Sequence, residues 1–137
     1  MEFKKHMGAI HRVVPADKEG TIYWFHGNSG SGKTHLALNY NKPNKIVLDA
    51  DDMREVWTDL DHSKNGRWEQ NIRIAKLAQL LIIQGYNVCI ASICPYTKLR
   101  EEINKIVPNI RWIYINSPDS KPSSSEYPFE EGGWGNR

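Results

Sequence analysis

The chain is predicted to fold as a three-layer α/β sandwich with a mostly parallel central sheet, and three observations carry that prediction. Four short β-branched or aromatic runs alternate with helical stretches, an order that right-handed crossovers turn into parallel strands. One run, Asn87-Val88-Cys89-Ile90-Ala91-Ser92-Ile93-Cys94, is apolar almost throughout, as in a strand covered on both faces. The third observation is Gly27-Asn28-Ser29-Gly30-Ser31-Gly32-Lys33-Thr34, which matches G-x-x-x-x-G-K-[ST] between a strand and a helix. That motif is the phosphate-cradling P-loop, so the expected class is the P-loop NTPase type.

At 137 residues the chain is one domain with one core. A hydrophobic content of 39% and a charged content of 25% place it among soluble globular proteins. A net charge of +2 gives no ground for a nucleic acid or a membrane as partner. No apolar run approaches the ~20 residues of a membrane span. The opening Met1-Glu2-Phe3-Lys4-Lys5-His6 lacks the apolar core of a secretory leader. Cys89 and Cys94 lie in one predicted strand, roughly 16 Å apart, beyond the reach of a disulfide. Two free thiols fit a reducing compartment, and a cytoplasmic protein is the expectation.

Residues 1 to 20 carry Lys4, Lys5, His6, Arg12 and Lys18 with little periodicity. They read as an entry segment, the alternative being a basic arm that touches a nucleotide. Thr21-Ile22-Tyr23-Trp24-Phe25 is the first strand. In the loop that follows, the glycines leave room for backbone N–H groups to turn inward around an anion. Lys33 can reach the β- and γ-phosphates and the Thr34 hydroxyl can ligate Mg²⁺, so ATP and Mg²⁺ are the expected cofactors. Leu36, Ala37, Leu38 and Tyr40 then supply the apolar face of a helix that stops at Asn41-Lys42-Pro43.

Lys45-Ile46-Val47-Leu48-Asp49-Ala50-Asp51 is the second strand, apolar and then abruptly acidic. Ligands of open α/β sheets lie at the carboxyl ends of strands. Asp49 and Asp51, two apart on a strand, would face the same way, toward the γ-phosphate, and either is a candidate metal-side group. Arg54 follows one helical turn later. The competing reading makes Asp51 or Asp52 a plain helix N-cap. Phosphoryl transfer is mostly positioning and charge neutralisation, which calls for a metal, a lysine, an acid to orient the hydroxyl and guanidinium groups for anions. Lys33, Thr34, Asp49 or Asp51, and Arg54 supply that set.

Asp59 to Gly66 is a polar connector ending in the turn pair Asn65-Gly66. A long helix is predicted from Arg67, with Trp68, Ile72, Ala75, Leu77, Ala78, Leu81 and Ile82 on its apolar side and Gly85 as its stop. By themselves Asn71 and Arg73 read as solvated helix surface. The third strand ends at Pro95-Tyr96, Lys98 to Lys105 forms a charged helix, and Ile110 to Asn116 is the fourth strand. Ser117 to Ser125 is a Pro/Ser-rich linker with little to bury. The stretch from Glu126 to Arg137, with Trp134 in it, is either a strap docked on the domain or disordered.

The assembled pattern resembles the adenylyl-sulfate kinase family, P-loop enzymes that phosphorylate the 3′-hydroxyl of adenosine 5′-phosphosulfate. Four blocks carry the resemblance. Trp24 to Thr34 is similar to the family's strand plus G-L-S-G-[SA]-G-K-[ST], and Leu48-Asp49-Ala50-Asp51-Asp52-Met53-Arg54 to its L-D-G-D-x-x-R. Asp59-Leu60, Arg67 and Glu69-Gln70-Asn71-Ile72-Arg73 resemble D-L-G-F-S followed by R-x-E-N-I-R-R. Ile90 to Glu101 resembles A-F-I-S-P-Y-R-x-x-R. The resemblance implies a kinase domain over residues 21–117, between the entry segment 1–20 and a linker and tail 118–137. It implies Asp51 or Asp49 beside the acceptor hydroxyl, with Arg54, Arg67 and Asn71 holding the nucleotide substrate. It also implies pairing of two copies.

Departures qualify those expectations. His62 stands where the family has a Phe that stacks on the substrate adenine, and Cys94 replaces a Ser. The connector is one residue longer, so Arg67 lies four rather than three before Asn71, two spacings that share a helix face. After the fourth strand the family's Cys-x-x-Arg-Asp segment and K-G-L-Y/A-R lid have no counterpart before Glu126-Tyr127-Pro128-Phe129-Glu130, which resembles its P-Y-E-x-P. Lids exclude water and complete sites. The readings left open are an altered adenylyl-sulfate kinase, a P-loop kinase for another hydroxyl (a nucleoside, a nucleotide or a polynucleotide end), and a nucleotide-binding module without catalysis.

Overall fold

The computed structural model describes residues 19–131. The basic positions from Lys4 to Lys18, and Trp134, lie outside that range. In chain order the elements are β1 (Ile22–His26), α1 (Lys33–Asn39), β2 (Lys45–Asp49), α2 (Ala50–Val56), α3 (Lys64–Ile82), β3 (Asn87–Ala91), α4 (Thr97–Ile106) and β4 (Arg111–Tyr114). All strand pairs are parallel, in the order β2-β3-β1-β4.

Period-2 alternation divides the strand side chains between two apolar layers. Ile22, Trp24, Leu48, Val88, Ile90 and Trp112 pack with Ile74, Ala75 and Ala78 of α3 and Leu99 and Ile103 of α4. Tyr23, Phe25, Cys89 and Ala91 face the other way, onto Ala37 of α1 and Tyr40. The sheet is thus covered on both sides, which completes three layers. Trp24 and Trp112 stack at 4.9 Å across neighbouring strands and brace the larger layer.

Register places the site. Phe25 and Asp49 both pair with Ala91. The residues that follow β1, β2 and β3 therefore emerge at one edge of the sheet, the carboxyl edge where open α/β folds bind ligands.

Several expectations need correction. β1 is one residue later than predicted. Leu36 and Leu38 are 40% and 58% exposed, so α1 presents Ala37 and not a leucine face to the sheet. β2 stops at Asp49, because the Asp49 side chain caps the next helix by accepting from the Asp51 N–H; Asp51 is therefore helical. The cap is thus neither Asp51 nor Asp52. Asn65-Gly66 is no turn: Ser63 caps α3 through the Gly66 N–H, and the helix begins at Lys64. β3 ends at Ala91, and Cys94 lies three residues beyond it with φ of 44°, outside any strand conformation. Both cysteines are buried free thiols, as expected. The stretch after β4 does find burial: Phe129 is 9% exposed, and serine hydroxyls satisfy its backbone at Tyr127 and Phe129.

Candidate active site

At the carboxyl edge of the sheet lies a cleft of about 330 Å³. One wall is the loop between β1 and α1. Gly32 caps α1 with φ of 94° and ψ of 17°, a left-handed conformation that favours glycine. It offers no capping side chain, and a Cβ there would meet nothing within 4 Å. The first N–H groups of α1 are therefore open to an anion in the cleft. Lys33 Nζ donates to the Asn28 carbonyl at 3.1 Å and lies 3.4 Å from Ser31 Oγ. Burial pulls its pKa below the usual lysine range, against the charges of Asp51 and Asp49.

The floor comes from β2 and α2. Asp49 is 7% exposed and its two oxygens have separate partners. Oδ1 accepts from Asp51 N at 2.9 Å, which caps α2, and Oδ2 accepts from Thr34 Oγ1 at 2.5 Å. Asp51, in the first turn of α2, is exposed to the cleft. A hydroxyl and a carboxylate in contact, with a second carboxylate beside them, form the hard oxygen set that suits Mg²⁺. Among the described residues no cluster of three or more His, Cys, Asp or Glu forms a metal cage.

The opposite wall is basic. Arg54 Nη1 donates to the Asp61 carbonyl at 3.0 Å and to that of Leu60 at 3.3 Å, which holds the α2–α3 connector across the cleft. Arg67 donates to the Glu126 carbonyl at 3.3 Å. The arginines feel each other: burial first and then the charge of Arg67 lower the Arg54 pKa. Neither forms an ion pair among the described residues. The carboxylates of Asp51 and Asp61 offset part of that repulsion without pairing directly with Arg54, so the two guanidinium groups keep donors for an anion from solution. His62 lines the same wall and is exposed.

Every expected acceptor-side residue, Asp51, Arg54, His62, Arg67, Asn71 and Cys94, lines this cleft, with Ser29, Gly30, Gly32, Lys33, Thr34 and Asp49 of the donor side. Gly27, Asn28 and Ser31 do not. Asn71 is corrected from solvated surface: it is 3% exposed, its Nδ2 donates to the Arg67 carbonyl at 2.8 Å, and its Oδ1 accepts from Ser92 Oγ at 2.5 Å. Arg73 stays on the surface, paired with Asp59 at 2.9 Å and Glu69 at 3.0 Å. The Cys94 thiol is raised well above the ordinary range by burial, so it is no thiolate.

Two contributors were missed. Gln70 donates to the Ala50 carbonyl at 2.8 Å, tying α3 to the start of α2, and Ser92 holds Asn71. Gln70 stands next to Asn71 and Ser92 interrupts an apolar run, so polarity at buried positions was the available signal.

The adenylylsulphate kinase family profile matches residues 19–124. The adenylyl-sulfate kinase of Buchnera aphidicola from Schizaphis graminum is 30% identical over 128 residues, covering 85% of this chain and 60% of that protein. The cytidine diphosphoramidate kinase of Campylobacter jejuni is 31% identical over 100 residues, covering 69% of this chain and 59% of that protein. The chain spans about 60% of the length of the curated relatives it matches. Among solved structures, a Mycobacterium tuberculosis APS kinase carrying a Cys-to-Ala substitution superposes with a TM-score of 0.65 at 26% identity, covering 77% of this chain and 82% of that one. The same organism's APS kinase in complex with AMPPNP and APS gives 0.64 at 28% identity, covering 73% and 64%.

Proposed function

The chain belongs to the adenylylsulphate kinase family, and we propose that it is an ATP-dependent kinase that phosphorylates the 3′-hydroxyl of adenosine 5′-phosphosulfate. The observation that carries this reading is the two-ended cleft. A backbone cradle with Lys33 forms one end, Arg54 and Arg67 the other, and Asp49 and Asp51 lie between them. That spacing suits two anionic nucleotides meeting at a pair of carboxylates.

In this reading the α1 N-terminus and Lys33 hold the triphosphate. Thr34 and Asp49 would hold Mg²⁺, which neutralises charge on the phosphates when bound. Asp51 orients the acceptor hydroxyl. The acceptor oxygen bonds to the γ-phosphorus as the β–γ bridging P–O bond breaks; ADP departs and the hydroxyl proton passes to Asp51. Arg54 and Arg67 bind the acceptor's anionic end, and Gln70 and Asn71 keep their supporting backbone in place. Among the described residues no helix is long and apolar enough to cross a membrane. A pair of copies belongs to the proposal, and sedimentation velocity reads it.

A second reading, a kinase for another nucleotide hydroxyl, has one specific support. His62, in place of the family's stacking Phe, changes the base-contacting surface, and one relative is a cytidine diphosphoramidate kinase. Coupled ADP release decides, with adenosine 5′-phosphosulfate compared against cytidine nucleotides, free nucleosides and 5′-hydroxyl oligonucleotides. Turnover confined to the phosphosulfate supports the first reading, and turnover on another acceptor supports the second. ATP binding without turnover on any acceptor leaves a binding module and removes both.

A further inference from the structure

The segment after β4 runs across the outside of the phosphate loop, and one side chain of that loop faces it. Asn28 is 5% exposed and points away from the cleft. Its Nδ2 donates both hydrogens outward, to the carbonyl of Lys121 at 2.8 Å and to that of Tyr127 at 2.9 Å. Its Oδ1 accepts from the Ser29 N–H at 2.8 Å, and its own carbonyl accepts from Lys33 Nζ at 3.1 Å. The strap answers with the Lys121 N–H, which donates to the Ser29 carbonyl at 2.7 Å. The approach is close enough that a Cβ on Gly30 would lie 2.7 Å from the Asp119 carbonyl oxygen.

The same strap reaches the other wall. The Glu126 carbonyl accepts from Arg67, and the Glu130 N–H donates to the carbonyl of Pro95 at 2.7 Å; Pro95 lines the cleft. Beyond the Asn28 contacts, Phe129 anchors the strap by stacking on Tyr114 at 5.6 Å.

We infer that Asn28 is a positioning residue: it fastens the 117–131 strap to the phosphate loop, and through the strap it couples that loop to Arg67 on the acceptor wall. An amide is required for this. Only an NH₂ group beside an acceptor can serve two strap carbonyls and one loop N–H from a single buried side chain. An aspartate would offer no donor and would set its charge against two carbonyl oxygens; an apolar residue would take the Asn28 donor from the Lys121 carbonyl and leave the Tyr127 carbonyl with the Ser124 N–H alone. The effect on substrates rests on the kinase reading above; the fastening does not.

Hydrogen exchange followed by mass spectrometry on the whole chain tests the fastening without any ligand. In Asn28→Ala and Asn28→Asp, amides of residues 117–131 should exchange about thirtyfold faster, the factor expected for two lost hydrogen bonds. Protection in β1 and β3 should be unchanged, which reports an intact sheet. Binding of a non-hydrolysable ATP analogue should then weaken about tenfold. The acceptor KM should rise with kcat within about threefold, a split that general loss of folded protein does not produce. Phe129→Ala removes the strap's buried aromatic anchor with the loop sequence intact, and it should move both readouts in the same direction if the Asn28 variants misfold. Unchanged strap exchange in the Asn28 variants overturns the fastening. A freed strap with unchanged analogue affinity and acceptor KM overturns the coupling. Wild-type protein that binds no ATP analogue would sink the kinase reading, while the exchange comparison would still decide the fastening.

Discussion

The two walls of the cleft are built from different materials. The donor wall is mostly main chain from one contiguous stretch, with Gly32 opening the α1 N–H groups and Lys33 and Thr34 following at once. The acceptor wall is long side chains from separate elements, Arg54 on α2, His62 in a connector and Arg67 on α3. A wall of backbone is specified by local conformation and accepts any phosphate that fits. A side-chain wall is specified by tertiary packing and can change its ligand by one substitution. On the proposed kinase reading, donor identity is therefore the conservative half of this site, and acceptor identity the adjustable half.

Substitutions can break that contrast, beginning where the expected effect is largest. Lys33→Ala removes the lysine of the donor wall, and kcat/KM should fall about 10³-fold; an unchanged steady-state rate would remove the donor assignment. The carboxylates should part company next. Asp51→Ala should lower kcat about 10²-fold with little change in Tm. Asp49→Ala should lower activity and also cost about 1 kcal/mol of stability, because it strips the cap from α2. Thermal melts beside rate measurements separate the two. Arg54→Gln or Arg67→Gln should raise the acceptor KM about tenfold and leave the ATP KM within about twofold. Equal shifts in both KM values would mean the walls are not separate.

A smaller effect concerns pH. The pKa of folded Lys33 lies below that of the unfolded chain, near 10.4, because of burial. Between the two values the unfolded chain holds the extra proton, so this group makes stability rise with pH in that window. Denaturant unfolding of wild type and Lys33→Ala across alkaline pH should show the rise only in the wild type. The smallest effect is expected at Arg73, whose exposed pairs with Asp59 and Glu69 lie outside the cleft: Arg73→Ala should leave Tm within about 2 °C and turnover unchanged.

The difference between the walls also explains what could be read before the structure. Gly27 to Thr34 announces itself because its chemistry is local, and the parallel sheet follows from strands alternating with helices. Strand ends were less legible. Asp49 looks like one more strand residue until its side chain is seen to cap α2, and that capping moves Asp51 from a strand face to a helix. Leu36 and Leu38 are apolar yet exposed, since this seven-residue helix buries only the small Ala37 against the central strands β1 and β3. Gln70, Ser92 and the outward turn of Asn28 depend on partners 20, 21 and 93 or more residues away, and no local pattern carries those separations.

Arg100 has a consequence for the order of folding. Its guanidinium is fully buried, and its hydrogen bonds run to the Cys94 carbonyl at 2.6 Å, to Thr97 and to the carbonyl of Glu130. The last partner is made 30 residues after Arg100 itself. On the ribosome all four strands emerge before it does, so the nascent sheet carries a cation that lacks one of its acceptors. Water must stay at that end of α4 until residue 130 arrives to replace it. Final drying of this corner of the core is thus timed by the strap, well after the phosphate loop and both of its flanking elements have left the exit tunnel.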